Sequence, residues 1–214
     1  VEGRVEDALY LEMTDWSAPV YADDRVREVR SLPGVLRASW WENANFGRTD
    51  LPRRLPEFAL LGLYEVDATF VPPVPPAGVT ASHFRRCPRP GQGCLTGNPT
   101  LGLSLVLISP RSPGGAQALR DWADFVHIRH IAQAAVPGYT MITPYENATG
   151  GDPLFCHLYE MDTDDPEGAF AAMTPLVAER LGGHSGTPEF DAWATHPELR
   201  IIYVNCFRRL GAAV

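Results

Sequence analysis

A repeated order of landmarks constrains the fold of this chain more than any other feature. LPGVLRASWWEN followed by FALLGLYEVD in the first half is answered by VPGYTMITPYEN followed by PLFCHLYEMD in the second. Pro-Gly, Glu-Asn and Tyr-Glu-x-Asp recur in one order, and Phe84-Arg85-Arg86 is answered by Phe207-Arg208-Arg209. Any one of these would be weak; together they mark an internal repeat, which has to be recognised before elements are assigned. A chain of 214 residues, 45% hydrophobic, can bury one large core. It can equally form two units of about 100 residues each.

Each unit reads as strand, helix, strand, strand, helix, strand. In the second, LGLSLVLIS is an apolar β-rich run, and Gly114-Gly115 releases a helix that Pro137-Gly138 stops. Residues 139 to 147 and 154 to 162 make a hairpin across ATGGDP. Asp165-Pro166-Glu167 opens a second helix with acidic residues and proline at its positive end, and Gly182-Gly183 closes it. A short helical piece near Glu189 to Ala194 leads to a last strand, Arg200 to Arg208. The first unit opens alike, with ALYLEMTD as a strand, a charged helix near Asp23 to Leu32 and two strands. Its second helix is lost, because ATFVPPVPPAG cannot donate helical hydrogen bonds at its prolines and favours extended geometry. The expected organisation is a first unit at 1–90, a linker at 91–100 and a second unit at 101–214.

Net charge and apolar run length exclude two partner classes. At −8 with only short arginine clusters, the chain lacks the basic footprint of a nucleic-acid binder. No apolar stretch approaches the roughly 18 to 20 residues that span a bilayer, and Val1 to Asp7 is charged rather than signal-like, so a cytoplasmic location is expected. Cys87, Cys94, Cys156 and Cys206 lack zinc-site spacing and read as free thiols, although the loop CPRPGQGC could close a disulfide in an oxidising compartment.

The second unit resembles the dimeric α/β-barrel superfamily, and within it the EthD-like branch, on DFVHIRHIAQAAVPGY and HLYEMD. Family members commonly carry proline two positions after the helix histidine, where this chain has Ala132. The resemblance implies an α+β fold of two ferredoxin-like units with antiparallel sheets paired as an intramolecular pseudo-dimeric barrel. A monomer is then allowed alongside a homodimer.

His130 is the leading candidate for chemistry. Leu119, Trp122, Val126 and His130 fall on one stripe of a regular helix, and the resembled family often keeps a histidine at this place in its cavity. His127 lies one turn back, and the pair lacks a third ligand at a diagnostic metal spacing, so no metal is expected. Alternation along PLFCHLYEMD puts Phe155, His157 and Tyr159 on one face and Cys156, Leu158 and Glu160 on the other. The first-unit counterpart of His157 is Gly62. Tyr139, Tyr145, Trp40, Trp41 and Glu42 supply aromatic walls and a carboxylate suited to a flat ligand. His83 and His196 read as surface residues, and His184 in GGHSG as part of a helix stop or a lid.

Dinucleotide, P-loop and nucleophile-elbow motifs are absent. The expectation is an enzyme without cofactor, of lyase, cyclase or isomerase type, acting on an aromatic or polyketide-like carbonyl compound with His130, His157 and Tyr159 as its acid–base groups. Two alternatives stand beside it. The resemblance also implies cofactor-free oxidation of a phenolic compound, or haem chemistry with His130 or His127 as axial ligand. The other is a binding module without turnover.

Overall fold

A computed structural model describes residues 8–51 and 53–211. The charged opening Val1 to Asp7 and the last three positions of the second unit lie outside the described residues.

Among the described residues, eight strands form the body. In the first half these are β1 (Ala8–Thr14), β2 (Val35–Asn43), β3 (Leu60–Val66) and β4 (Val79–Arg86). After a two-residue strand, β5 (Gln92–Gly93), the second half adds β6 (Gly102–Pro110), β7 (Tyr139–Asn147), β8 (Phe155–Met161) and β9 (Leu199–Leu210). The order β4-β1-β3-β2 is followed by β9-β6-β8-β7, so each half arranges its strands in the same sequence of neighbours. The halves join at β2 and β9, from Trp40 opposite Leu210 to Asn43 opposite Phe207. They join again at β4 and β7, from Phe84 opposite Asn147 to Arg86 opposite Tyr145, and this second seam closes the described strands into a barrel with no long free edge.

Both faces of the sheet are covered, which is why β1, β3 and β8 are buried at every position and show no polar alternation. Leu9, Leu11 and Met13, with Leu61, Leu63, Leu103, Leu105, Leu107, Cys156 and Leu158, fill the barrel. The alternate residues point outward under the helices. At the roughly 25 cal/mol per Å² typical of apolar burial, such a closed interior is the main source of stability.

Four described helices lie outside the barrel. Helix α1 spans 18–30 and α2 spans 116–133; each contains a π-helical segment, Tyr21–Val26 and Ala123–His127 respectively. Helix α3 (Pro166–Leu181) starts where the Asp165 carboxylate accepts the Gly168 amide at 3.0 Å and ends on left-handed Gly182 (φ 65°). Helix α4 (Pro188–Ala194) follows. Among the described residues no helix separates β3 from β4. The proline-rich segment instead lies over the sheet with Phe70 buried, Pro73 and Pro76 half-buried, and Val71 and Val74 exposed, the three-residue period of an extended proline strap. No described helix is long and apolar enough to cross a membrane.

Candidate functional site

A cavity of about 590 Å³ lies between the helix layer and the outer sheet face of the second half. Its floor is Val106 and Ile108 of β6, His157 and Tyr159 of β8, and Ile201 and Val204 of β9. Helices α2, α3 and α4 form the roof, with Trp122, His127, Phe170, Met173, Phe190 and Trp193. Loop residues Asn45, Arg48, Asp50 and Leu51 come from the first half to make the rim. The site is therefore outside the barrel.

Two imidazoles meet in this apolar space. His157 is buried, with Nε2 3.5 Å from Asp124 Oδ1 on α2. Asp124 is buried as well; Oδ2 accepts Arg89 Nη1 at 3.0 Å, whereas Oδ1 accepts no hydrogen bond from the described residues. His127 is sandwiched between Trp122 and Trp193, with ring centroids at 5.1 and 5.2 Å. Its Nδ1 donates to the Trp193 carbonyl at 3.0 Å, and Trp193 Nε1 donates back to the His127 carbonyl at 3.2 Å. Burial lowers the His127 pKa to about 4, with His157 and His130 adding to the shift and the Trp193 carbonyl opposing it. At neutral pH His127 is an uncharged imidazole with its proton fixed on Nδ1 and a lone pair on Nε2.

That depressed pKa has a stability consequence. Above pH 6.5 neither folded nor unfolded His127 is charged. Between about pH 6.5 and 4 the unfolded chain takes up a proton that the folded chain refuses, so stability falls as pH falls through this window. The loss is on the order of 3 kcal/mol at most. Urea unfolding at pH 7 and pH 4.5 should show a smaller drop for His127→Leu than for the parent; equal drops would mean that His127 protonates freely in the folded state.

The rim is fixed by contacts between the halves. Arg48 is buried, with Nε on Asn205 Oδ1 at 3.1 Å, Nη2 on Glu167 at 2.5 Å and its guanidinium 4.8 Å from the Phe170 ring centroid. Asn205 Nδ2 in turn reaches Asn43 Oδ1 at 3.1 Å and the Asn45 carbonyl at 2.9 Å. Among the described residues Arg48 is the one permanent cation in the wall, and it is shared by Glu167 and Asp50.

Of the residues singled out from sequence, His127, His157, Tyr159 and Trp122 line the cavity. His130 does not. The π-helical segment lets the chain turn less per residue than a regular helix. The buried side of α2 therefore runs from Leu119 and Trp122 to Ile128 and Ile131, and His130 is carried off it. Tyr139 packs behind the wall, edge-on to Tyr159 at 6.0 Å. Tyr145 and Trp41 point into the barrel interior, Trp40 packs beside α1, and Glu42 is exposed. These five fall outside the site because β7 supplies no outward residue to the cavity and β2 belongs to the other half. His184 is exposed, while His83 and His196 are half-buried rather than on the surface, His196 being stacked on Trp122 at 5.6 Å. All four cysteines are free, and burial pushes the Cys87 thiol up to about 11.

In the first half the space over Gly62, which corresponds to His157, is filled. Glu12 on β1 stands opposite Gly62 on β3, as Val106 stands opposite His157. A Cβ at Gly62 would overlap the Tyr21 hydroxyl, which occupies the place of an imidazole. Tyr21 donates to Glu12 at 2.9 Å and lies 2.8 Å from the Tyr64 hydroxyl, and Arg25 grips Glu12 through Nε and Nη2.

No family model matches the chain, and no curated protein matches it by sequence. Solved structures do. An anthrone oxidase-like protein superposes with TM-score 0.52 at 11% identity, covering 98% of this chain and 93% of that one. A major regulator of staphylococcal pathogenesis gives 0.54 at 8%, with 95% and 99% covered. The chlorite dismutase of Candidatus Nitrospira defluvii, in a mutant form, gives 0.51 at 12%, with 97% and 93% covered.

The chain shares the fold of these structures: α+β, with a large antiparallel sheet and few helices, as the resemblance to the dimeric α/β-barrel superfamily implies. The expectation of a cofactor-independent lyase, cyclase or isomerase is corrected here. The enzymes named on this fold are an oxidase-like protein and a chlorite dismutase, and the helix histidine on which that expectation leaned lies off the cavity.

Proposed function

We propose that this chain oxidises a neutral phenolic small molecule in the second-half cavity, with dioxygen as oxidant. The observation that carries it is His157, backed by Asp124, in a stretch of the wall otherwise built mainly of apolar and aromatic side chains. A phenol gives up electrons to dioxygen far more readily as its phenolate, so the step that needs a protein group is removal of the hydroxyl proton. His157 Nδ1 accepts that proton, and Asp124, 3.5 Å from Nε2, stabilises the imidazolium that results. His127 Nε2 accepts or positions a second polar group of the ligand, held by its two tryptophans. The balanced reaction is phenol plus dioxygen giving quinone plus water, the substrate supplying all four electrons. The oxidative names on the same fold support this direction.

Haem was the other oxidative expectation, and the residues do not fit it. His127 Nε2 could serve as one axial donor. The propionates would need cations, and Arg48, the only permanent one among the described wall residues, is committed to Glu167 and Asp50. The same two carboxylates disfavour an anionic substrate, which is why the ligand is taken to be neutral. Within the superfamily, the EthD-like branch and an origin by duplication of one ferredoxin-like unit are part of the same reading, supported by the repeated strand order and by the Pro-Gly and Tyr-Glu-x-Asp landmarks.

An oxygen electrode with neutral one- to three-ring phenols tests the proposal. The expected result is uptake of one dioxygen per quinone formed and no turnover under nitrogen. Saturable binding without oxygen uptake would overturn it in favour of a binding module, and turnover indifferent to oxygen would overturn it outright.

A further inference from the structure

We infer that Arg89, in the segment joining the two halves, is a positioning residue for the Asp124–His157 pair, fixing the Asp124 carboxylate with one oxygen turned to His157; this rests on the function proposed above. Arg89 lies outside the cavity wall. Its side chain is only 17% exposed and its guanidinium forks across two carboxylates of α2, with Nη1 on Asp124 Oδ2 at 3.0 Å and Nη2 on Asp121 Oδ1 at 2.6 Å. The guanidinium also lies 4.6 Å from the Phe125 ring centroid. Three residues on, Gln92 Nε2 donates to the Asp124 backbone carbonyl at 2.5 Å, and Gln92-Gly93 pairs with β7. The joining segment therefore grips Asp124 by both side chain and backbone.

The consequence is electrostatic. Asp124 offers one oxygen to Arg89 and aims the other, which accepts no hydrogen bond from the described residues, at His157. A buried carboxylate with no counter-ion favours a proton on the imidazole it faces, which competes with uptake of the phenol proton. Arg89 offsets that charge. The other groups around His157 are His127 on α2 and Tyr159 on β8, with Cys87 and Arg120 beside the Asp124 end, and Arg48, Asp50 and Glu167 across the cavity. Of these described groups, only Arg89 is a cation bonded directly to Asp124.

The experiment is a proton NMR titration of the His157 ring in the whole protein without substrate, in the parent, Arg89→Met and Arg89→Gln, assigned by loss of the signal in His157→Asn. Both variants are expected to raise the His157 midpoint by about one pH unit. Gln can still hydrogen-bond Asp124 and serves if Met disturbs folding. In the oxidation assay, the acid limb of kcat/KM should move up by the same amount, while the alkaline plateau stays within about twofold. A purely structural arginine would lower the plateau and leave the limb in place. An unmoved His157 midpoint in folded variant protein overturns the inference. A raised midpoint in a protein that oxidises nothing would keep the Arg89 relation and sink the proposed reaction instead.

Discussion

Replacing His157 by Asn lowers phenol turnover on the order of 100-fold or more, the usual contribution of a positioned acid or base. Asn ends at the level of Nδ1 and stops short of Nε2, so the base and its Asp124 contact are lost together while the position stays polar, and the loss should appear mainly in kcat. The effect has a matched control in His130→Ala. His130 stands three residues from His127 but off the cavity, and its removal should leave kcat/KM within about twofold, as expected for a change away from the chemistry. Steady-state oxygen uptake on both variants decides the assignment. If His130→Ala is the dead enzyme and His157→Asn the live one, the cavity described here is not where the reaction occurs.

The contrast between those two histidines shows where sequence stops being sufficient. PLFCHLYEMD has a period of two, and a strand keeps that period rigidly, so Phe155, His157 and Tyr159 share a face in the fold as they do on paper. The Pro-Gly and Tyr-Glu-x-Asp landmarks are similarly local, which made the strands that carry them recognisable. A helical stripe tolerates no interruption: one π-helical segment in α2 moves every later residue around the axis, and no residue type in DWADFVHIRH announces it. Asp124 had a faint signal in the shared aromatic-Ala-Asp of Tyr21-Ala22-Asp23 and Trp122-Ala123-Asp124. Arg48 had none, because its place depends on Asn205 and Glu167, far away in the chain and in the other half. Nor does alternation say which face of β2 looks inward, so Trp41 in the barrel and Trp40 outside it had to be seen.

The first half should collapse if its filled space is emptied of charge on one side only. Glu12→Ala leaves the Arg25 guanidinium, which is buried, without its main partner, and strips the Tyr10 and Tyr21 hydroxyls of their acceptor. Breaking a buried pair from one side costs about 3–5 kcal/mol, because the remaining charge stays desolvated. Glu28 retains one contact to Arg25 at 2.8 Å but is largely exposed, so it offsets little. Against a typical total of about 5–15 kcal/mol, the variant would sit near the edge of folding. Removing both charges with an apolar pair, Glu12→Leu with Arg25→Met, should recover the part of the loss that comes from the unpaired guanidinium, while the Tyr10 and Tyr21 hydroxyls still lack their acceptor. Urea unfolding of the parent, both singles and the double forms the cycle that measures this coupling. Additive effects would mean that Glu12 and Arg25 act independently, and that packing by Tyr10, Tyr21 and Tyr64, rather than the ion pair, keeps the first half closed where the second half is open.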